Sequence, residues 1–347
     1  MRQTVKALKP MIEGFIETNG ELSLKRTLKS GQAFRWRLTN DGTDWVGVVR
    51  NTHVVQLTQQ PDGKHIHYRV LNGHEDNDHN QEIKPTVKGR KRLKTSDESD
   101  GENPKDQYFY SQLISDYLRL DVNLTDLYDK WSKSDDKFAA IAVNMSGVRV
   151  LRQNFAETLF SFICSSNNNI NRIEKMIETL CQKYGKVLYE SHPELGTIHS
   201  FPEITRLAEE SVEPELKKLG FGYRSAFIHR SAKTICDEYK CPEKWSQELA
   251  QMPYSEARQA LQRLPGVGPK VADCIALMAL NHLESVPVDV HVFKIAQHMY
   301  LPHLKKNKSL THKSYQEIGD FFRSKFGPNA GWAQAVLFCA DLKQFKQ

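Results

Sequence analysis

The segment LPGVGPKVADC, residues 264–274, determines how this chain is expected to fold. Its first proline and its two glycines, Gly266 and Gly268, are incompatible with a continuous helix and predict a tight hairpin. Pro269 then begins a second helix, because the first helical position needs no N–H group and suits the fixed φ of proline. A glycine hairpin that leads into a helix N-terminus presents unpaired backbone N–H groups, which suit a phosphate.

The hairpin joins two helices. The first begins at Ser255, which is expected to cap it, and the whole unit spans residues 255–280. Lys270 lies one residue inside the second helix, where the positive potential of a helix N-terminus favours an uncharged amine. Asp289 follows 19 residues later, after the sequence VPV, and is expected to cap an apolar helix over residues 290–299.

Length and composition limit the classes of protein. A chain of 347 residues can bury a large core and is long enough for two or three subdomains. The formal net charge of +6 permits a polyanionic partner. No apolar run is long enough to span a membrane. The six cysteines are scattered without the spacing of a metal site, so reduced thiols and no metal or organic cofactor are expected.

Residues 22–71 have the pattern of a β-sheet. Turn residues at 40–42 and 61–63 separate runs of β-branched and aromatic residues. These runs are 34–38, 45–49 and 53–57. Residues 1–20 are expected to form a short helix or arm. We therefore predict a twisted antiparallel sheet in an N-terminal subdomain, residues 1–140.

Residues 74–106 interrupt this pattern. Acidic and amide residues, a basic run from Lys84 to Lys94 and a second acidic run leave almost nothing apolar to bury, so disorder is expected. The basic run is either a nuclear-import signal or part of a solvated insertion between two strands. The first interpretation predicts a nuclear protein, and both are compatible with a mitochondrial pool.

Helical patterns dominate from residue 108 onward. Residues 155–164 are apolar on most sides and predict a buried helix, which leads into the polar run SSNNN, 165–169. Further helices are predicted at 170–184, 226–239 and 332–342. Residues 141–347 are expected to form a helical domain. The fold class is therefore α+β, with the sheet packed on a mostly helical core.

These motifs resemble the helix-hairpin-helix, Gly/Pro…Asp superfamily of DNA base-excision glycosylases. GVGPKVADC together with VPVDVH resembles most closely the eukaryotic 8-oxoguanine DNA glycosylases. The resemblance covers nearly the whole chain and implies a bifunctional glycosylase and abasic-site lyase, acting as a monomer. Its substrate would be double-stranded DNA with 8-oxoguanine, or ring-opened formamidopyrimidine guanine, opposite cytosine. The iron–sulfur loop of some relatives needs four close cysteines after the aspartate, which this sequence lacks.

The resemblance assigns the chemistry to Lys270 and Asp289. The neutral Lys270 amine would attack the anomeric carbon of the sugar and form a Schiff base, which permits β-elimination of the 3′ phosphate. Asp289 would stabilise the oxocarbenium-like charge that develops as the base leaves. The residues alone also allow Lys270 to be a phosphate-contacting or surface lysine, and Asp289 to be a helix cap only.

The resemblance implies a pocket for the extruded base. Cys274 and Met278 share a helix face with Lys270, and the cysteine would cover one face of the base. Phe338 would cover the other face, and Gln334, one turn earlier, would bond the Watson–Crick edge. Taken alone, the cysteine, methionine and phenylalanine are typical of a core, and the glutamine of a solvent-facing position.

Gly31 lies in the segment SGQAF, residues 30–34, which ends at Phe34. In the family this glycine aims its backbone carbonyl at N7, which is a bare acceptor in guanine but carries a hydrogen in 8-oxoguanine. The carbonyl would therefore attract the lesion and repel guanine. The alternative is a simple glycine turn into the first strand.

The resemblance also implies contacts with the opposite strand and the backbone. Asn167 would fill the hole left by the base, and Tyr223 would act as a wedge beside it. Arg172 and Arg224 would donate to N3 and O2 of the orphan cytosine, a pattern that adenine does not match. The remaining expected DNA contacts are Asn168, Gly266, Gly268 and His291, the last to a phosphate. Singly, each arginine is more typical of a surface charge and the histidine of a structural role.

Two other functions remain open from the sequence. A non-catalytic helix-hairpin-helix module would only grip DNA, but such a module needs no buried amine at Lys270. The same scaffold could excise another oxidised base, and Gly31 and Phe338 argue against that alternative.

Overall fold

The computed structural model of this chain describes residues 12–72, 104–239 and 241–345. Near the N-terminus five antiparallel strands form one sheet in the order β1-β5-β4-β3-β2. The strands are β1 Ile12–Glu17, β2 Arg37–Leu38, β3 Asp44–Val49, β4 His53–Gln59 and β5 His65–Val70. A separate two-stranded sheet consists of β6 Val187–His192 and β7 Gly196–His199.

The sheet differs from the prediction at its two edges. The helix or arm expected over residues 1–20 is wrong for 12–17, which form β1 and pair with β5. Gly14 interrupts the alternation of apolar and polar residues by which a strand is recognised. Glycine is needed there because a Cβ would lie 2.9 Å from the Tyr68 hydroxyl oxygen. The strand expected over 34–38 is reduced to Arg37–Leu38, since Phe34 packs in the helical core and the pairing with β3 begins only at Arg37.

The rest of the described chain is mostly helical. The helices are α1 Leu24–Leu28, α2 Pro104–Tyr117, α3 Leu124–Ser134, α4 Asp136–Ala142, α5 Phe155–Ser165, α6 Ile170–Tyr184, α7 Ile204–Leu207, α8 Val212–Lys218, α9 Arg224–Glu238, α10 Pro242–Gln251, α11 Tyr254–Leu261, α12 Pro269–Met278, α13 Val290–Ile295, α14 His312–Phe326 and α15 Ala330–Asp341. A π-helix, Ala296–Tyr300, continues α13, and 3₁₀ turns lie at Pro302–Lys306, Gly327–Asn329 and Lys343–Phe345. The α+β prediction is confirmed.

Three predicted boundaries are corrected. The helix before the hairpin begins at Tyr254 with Pro253 as its N-cap, so Ser255 is not the cap. The helix expected over 290–299 is α-helical only to Ile295, because the π-helix takes over there. Most of the segment expected to be disordered, 74–106, lies outside the described residues, but its last three residues form the first turn of α2.

Two main apolar cores hold the chain together. One lies between the five-stranded sheet and α2, where Leu113 and Ile114 are fully buried. The second lies among the helices from α3 to α15. Trp131 of α3 and Phe138 of α4 belong to this second core, although both residues fall within the predicted subdomain 1–140. No helix in the described part of the chain combines the length and the apolar character needed to cross a bilayer.

Candidate active site

The hairpin is present and is anchored on α9. Gly266 has φ +82°, and a Cβ there would stand 2.7 Å from the Phe227 side chain, so both the backbone and the packing require glycine. Ser231 donates a hydrogen bond to the Pro265 carbonyl at 2.6 Å. Gly268 is the exposed N-cap of α12. The first N–H groups of α12, which lack partners within the helix, therefore lie at the protein surface.

The Lys270 amine is held by α5. Its Nζ atom lies 3.4 Å from the Ser165 hydroxyl and 4.6 Å from the centre of the Phe162 ring. The side chain is half-buried and lines a cavity. Phe162 and Ser165 therefore fix the direction in which the Lys270 side chain points.

Asp289 caps α13 and lines the same cavity. Its Oδ1 atom accepts both capping hydrogen bonds, from the His291 N–H at 2.9 Å and the Val292 N–H at 2.8 Å. The Oδ2 atom is not used in either bond. The carboxylate is therefore rigidly oriented by one oxygen while the other remains available to the cavity.

A cavity of about 70 Å³ brings together most of the predicted catalytic and pocket residues. Its lining includes Gly31, Lys270, Cys274, Met278, Asp289, Gln334 and Phe338. Phe34 is not among them, because it is buried in the helical core and packs edge-on against the Phe162 ring at 5.6 Å. A larger cavity of about 240 Å³, at Ser23, Arg26 and Phe345, contains none of these residues.

Gly31 reaches the cavity because its neighbour Gln32 is fixed. The Gln32 amide nitrogen donates to the Arg149 carbonyl at 2.7 Å, and its side-chain oxygen accepts from the Leu151 N–H at 2.9 Å. Gly31 itself has φ +76°, and a Cβ there would lie 3.8 Å from the Phe338 ring. The backbone of Gly31 can therefore approach whatever lies on that ring.

Gln153 ties this loop to the opposite wall of the cavity. Its side-chain amide donates to the Gln32 carbonyl at 2.8 Å, and its backbone N–H donates to the Met278 carbonyl at 2.8 Å. The loop that carries Gly31 and Gln32 is thus held at a defined distance from the C-terminal end of α12 across the pocket.

The α15 wall is brought close by Gly331. A Cβ at that position would stand 2.0 Å from the Ser285 carbonyl, so any side chain would force the helix away. The approach places Gln334 and Phe338 at the cavity. Gln334 is buried, yet its side-chain amide bonds to no other group in the described part of the chain. A buried amide that faces a cavity without a partner is suited to bonding a polar ligand.

Cys274 occupies the wall beside Lys270. Burial raises the pKa of its thiol to about 11, although the neighbouring Lys270 amine opposes that shift. The thiol is therefore protonated at neutral pH and acts as an apolar surface rather than as a nucleophile.

The residues predicted to contact the opposite strand lie together at one loop. Asn167 is exposed with φ +48°, and Tyr223 beside it is half exposed and donates to the Ser166 carbonyl at 3.1 Å. Arg172 is exposed and donates to the Gly220 carbonyl at 3.2 Å. Since Ser165 contacts Lys270 and Ser166 follows it directly, this loop adjoins the cavity.

Arg224 differs from its expected placement. Its side chain is only 3% exposed, lies over the Tyr223 ring at 4.5 Å and donates to the Ser166 and Asn167 carbonyls. Asn168 also turns inward, where its amide donates to the Cys164 carbonyl at 3.0 Å. In this structure both residues hold the loop.

His291 lies beside Phe338, which lines the cavity. Its Nδ1 atom lies 2.8 Å from the Asp341 carboxylate, and its ring meets the Phe338 ring edge-on at 5.7 Å. The side chain is partly exposed, so its other ring nitrogen can reach a ligand outside.

Sequence reasoning did not identify Phe162 and Ser165, which hold the Lys270 amine. Phe162 lies in an apolar run whose members all look alike, and nothing in its spacing separates it from the core. Ser165 was read only as the start of a polar loop. Among the described residues, no three His, Cys, Asp or Glu side chains are grouped so as to hold a metal ion.

Comparison with known proteins gives matches over nearly the whole chain. Residues 15–159 match the 8-oxoguanine DNA glycosylase N-terminal domain, and residues 160–320 match the HhH-GPD superfamily of base excision DNA repair proteins. The chain is 35% identical to N-glycosylase/DNA lyase OGG1 of Arabidopsis thaliana, covering 94% of this chain and 79% of that protein. It is 33% identical to N-glycosylase/DNA lyase of Saccharomyces cerevisiae, covering 93% and 84%.

Solved structures match as well. MBOgg1 in complex with a low-affinity DNA ligand superimposes with a TM-score of 0.72 at 28% identity, covering 94% of each chain. The apo form of the Clostridium acetobutylicum 8-oxoguanine glycosylase/lyase gives a TM-score of 0.71 at 25% identity, covering 94% of this chain and 96% of that one.

The burial of Cys274 predicts its reactivity. In the folded protein at pH 8, iodoacetamide should alkylate the exposed Cys241 at least ~100-fold faster than Cys274, because only on the order of one Cys274 thiol in a thousand is then a thiolate. Peptide mass spectrometry over a time course measures both rates. In denaturant the two cysteines should react alike. Equal rates in the folded protein would contradict the described wall of the cavity.

Proposed function

The chain belongs to the eukaryotic 8-oxoguanine DNA glycosylase family, and we propose that it excises 8-oxoguanine opposite cytosine through a Schiff base on Lys270. It is a bifunctional N-glycosylase and DNA lyase of base-excision repair. The observation that supports this chemistry most strongly is the shared cavity, whose lining includes Lys270, Asp289, Gly31, Gln334 and Phe338.

The reaction begins at the sugar of the extruded nucleotide. The lone pair of the Lys270 amine forms a bond to C1′ as the bond from C1′ to N9 breaks, and the departing base takes the electron pair and a proton. Positive charge builds on the sugar during this step, and the Asp289 carboxylate stabilises it electrostatically. Because Oδ1 is already bonded to two N–H groups, the carboxylate needs no reorganisation as the charge develops.

The second step cleaves the strand. Opening of the sugar ring converts the adduct into a Schiff base between C1′ and Nζ, with the ring oxygen taking a proton. Loss of a proton from C2′ then expels the 3′ phosphate by β-elimination, and water releases Lys270. The glycosylase and lyase steps thus use the same amine.

Lesion recognition is assigned to the cavity residues Gly31, Gln334, Cys274 and Phe338. The Gly31 carbonyl accepts the hydrogen that N7 carries only in 8-oxoguanine, and it faces a lone pair on guanine. The unpaired Gln334 amide bonds the Watson–Crick edge, while Cys274 and Phe338 cover the two faces of the base. Ring-opened formamidopyrimidine guanine offers a similar donor and is accepted on the same grounds.

Recognition of the opposite base is assigned to the Asn167 loop. Asn167 and Tyr223 fill the gap in the stack, and Arg172 donates to N3 and O2 of cytosine. Arg224 already bonds the Ser166 and Asn167 carbonyls, so it donates to cytosine only if it exchanges these partners. The first N–H groups of α12, beyond Gly268, and His291 bind phosphates of the lesion strand.

The protein is proposed to act as a monomer on double-stranded DNA in the nucleus. The basic run from Lys84 to Lys94, which lies outside the described residues, supports nuclear import.

Fusion of residues 74–106 to a fluorescent protein, compared with a variant in which the six basic residues from Lys84 to Lys94 are replaced by Gln, tests nuclear import. Nuclear enrichment that depends on those residues is expected.

Replacement of Lys270 tests the nucleophile. Borohydride should trap wild-type protein on duplex DNA with 8-oxoguanine opposite cytosine, because it reduces the Schiff base to a stable amine. Lys270→Gln should abolish trapping and keep the Kd for the duplex within about threefold, since the glutamine is a polar side chain of similar reach and the phosphate contacts made elsewhere are retained. Lys244→Gln, an exposed lysine on α10, should trap like wild type. Normal trapping by Lys270→Gln would exclude the assignment, and binding without trapping by wild type would leave only a DNA-gripping module.

Replacement of Arg172 tests the choice of opposite base. Wild type should excise 8-oxoguanine opposite cytosine faster than opposite adenine, and Arg172→Ala should reduce this ratio about tenfold, because a lost base-specific donor is worth roughly 1–3 kcal/mol. Single-turnover excision on the two duplexes gives the ratio. Arg230→Ala, an exposed arginine on α9, should leave it unchanged. An unaltered ratio in Arg172→Ala would assign the discrimination to other residues.

A further inference from the structure

Lys270 and Asp289 belong to separate segments of the chain, so the distance between them depends on contacts that join those segments. Lys270 is part of α12, whereas Asp289 follows a loop and begins α13. The side chain of Asp273, which also belongs to α12, is 1% exposed and does not line the cavity. The proposed chemistry gives this carboxylate no role. A buried carboxylate is costly unless it is fully hydrogen-bonded, so its partners show what it holds.

Four side chains from three other parts of the chain donate to Asp273. The Tyr254 hydroxyl and the Arg258 Nε of α11 bond Oδ1 at 2.6 and 2.9 Å. The Ser285 hydroxyl lies 3.3 Å from the same oxygen and donates to the Asp273 carbonyl at 2.9 Å. The Tyr315 hydroxyl of α14 donates to Oδ2. The carboxylate thus joins α12 to α11, to α14 and to the segment that leads to Asp289.

Tyr315 carries the connection to the catalytic aspartate. Its hydroxyl donates to Asp273 and accepts from the Val288 N–H at 3.3 Å. Val288 immediately precedes Asp289, so the link runs from α12 through two hydrogen bonds to the backbone beside the catalytic carboxylate. All three linking residues are buried, which makes water a poor substitute for either bond.

The pKa shifts of Tyr315 and Asp273 fit a hydrogen bond in which the tyrosine hydroxyl donates to the carboxylate. Burial, followed by the Asp273 charge, raises the pKa of the Tyr315 hydroxyl well above its usual value, so the phenol keeps its proton and donates. Burial also raises the pKa of Asp273, and the Arg258 guanidinium is the largest opposing influence. Arg258 therefore provides the positive charge that offsets the buried Asp273 carboxylate.

We propose that Asp273 and Tyr315 are positioning residues that set the Asp289 carboxylate relative to the Lys270 amine. The inference rests on the proposed function, because it assigns these two groups to the reacting sugar. Neither positioning residue touches the substrate. They act by holding the segment 285–289 against α12, and misplacement of a reacting group by about 1 Å costs up to ~100-fold in rate.

Two tyrosine variants form a matched pair for the test. Tyr315→Phe and Tyr254→Phe each remove one hydroxyl that donates to Asp273, but only the first breaks the link to Val288. Tyr315→Phe should lower the single-turnover excision rate per active site about tenfold, with the duplex Kd unchanged. Tyr254→Phe should stay within about twofold of wild type while losing comparable thermal stability.

A structural measurement separates this inference from the proposed function. In crystals of Tyr315→Phe, Asp289 should be displaced from its wild-type position relative to Lys270 by about 0.5–1 Å, and in Tyr254→Phe it should not be. If the wild-type protein removed no 8-oxoguanine, the proposed function would fail, yet the displacement would still be measurable. Equal rate losses in the two variants, or an undisplaced Asp289 in Tyr315→Phe, would overturn the positioning role.

Discussion

The packing of α12 against α5 is the contact on which the site depends. It brings the Lys270 amine onto the Phe162 ring and the Ser165 hydroxyl, at the point where α5 ends and the asparagine loop begins. The same helix end thus holds the Lys270 amine and begins the loop that carries Asn167. In the proposed function, the nucleophile and the contacts to the opposite strand would therefore both be positioned by the C-terminal end of α5.

The walls of the cavity come from both the sheet-side and the helical parts of the chain. The loop before β2 contributes Gly31, which is held in place by the hydrogen bonds of the Gln32 side chain, and α12, α13 and α15 contribute the other walls. Gln153 bonds the sheet-side loop and the end of α12 simultaneously, so the width of the pocket is set by hydrogen bonds rather than by apolar contact alone. The wall that Gly31 forms therefore comes from the sheet-side part of the chain, whereas Lys270 and Asp289 come from the helical part.

Local signals allowed much of this to be predicted. The hairpin, α12 and the cap at Asp289 follow from glycine, proline and aspartate preferences that act within a few residues. Motif resemblance brought Gly31, Gln334 and Phe338 to the same pocket, although they are distant in sequence.

Tertiary contacts decide the placements that the sequence does not specify. Phe34 packs in the core beside Phe162, and Arg224 donates hydrogen bonds to two loop carbonyls. The strand β1 was missed because Gly14 makes room for Tyr68. The buried link from Asp273 to Val288 has no sequence signature, since its members lie on three separate segments and each resembles an ordinary core or helix residue.

The most direct measurement is a crystal structure of Lys270→Gln bound to a duplex with 8-oxoguanine opposite cytosine. The account predicts that the lesion lies in the cavity, with C1′ of its sugar roughly 3.5 Å from the side chain at position 270 and the Gly31 carbonyl bonded to N7. A lesion that remains stacked in the duplex, or a sugar far from position 270, would contradict the account.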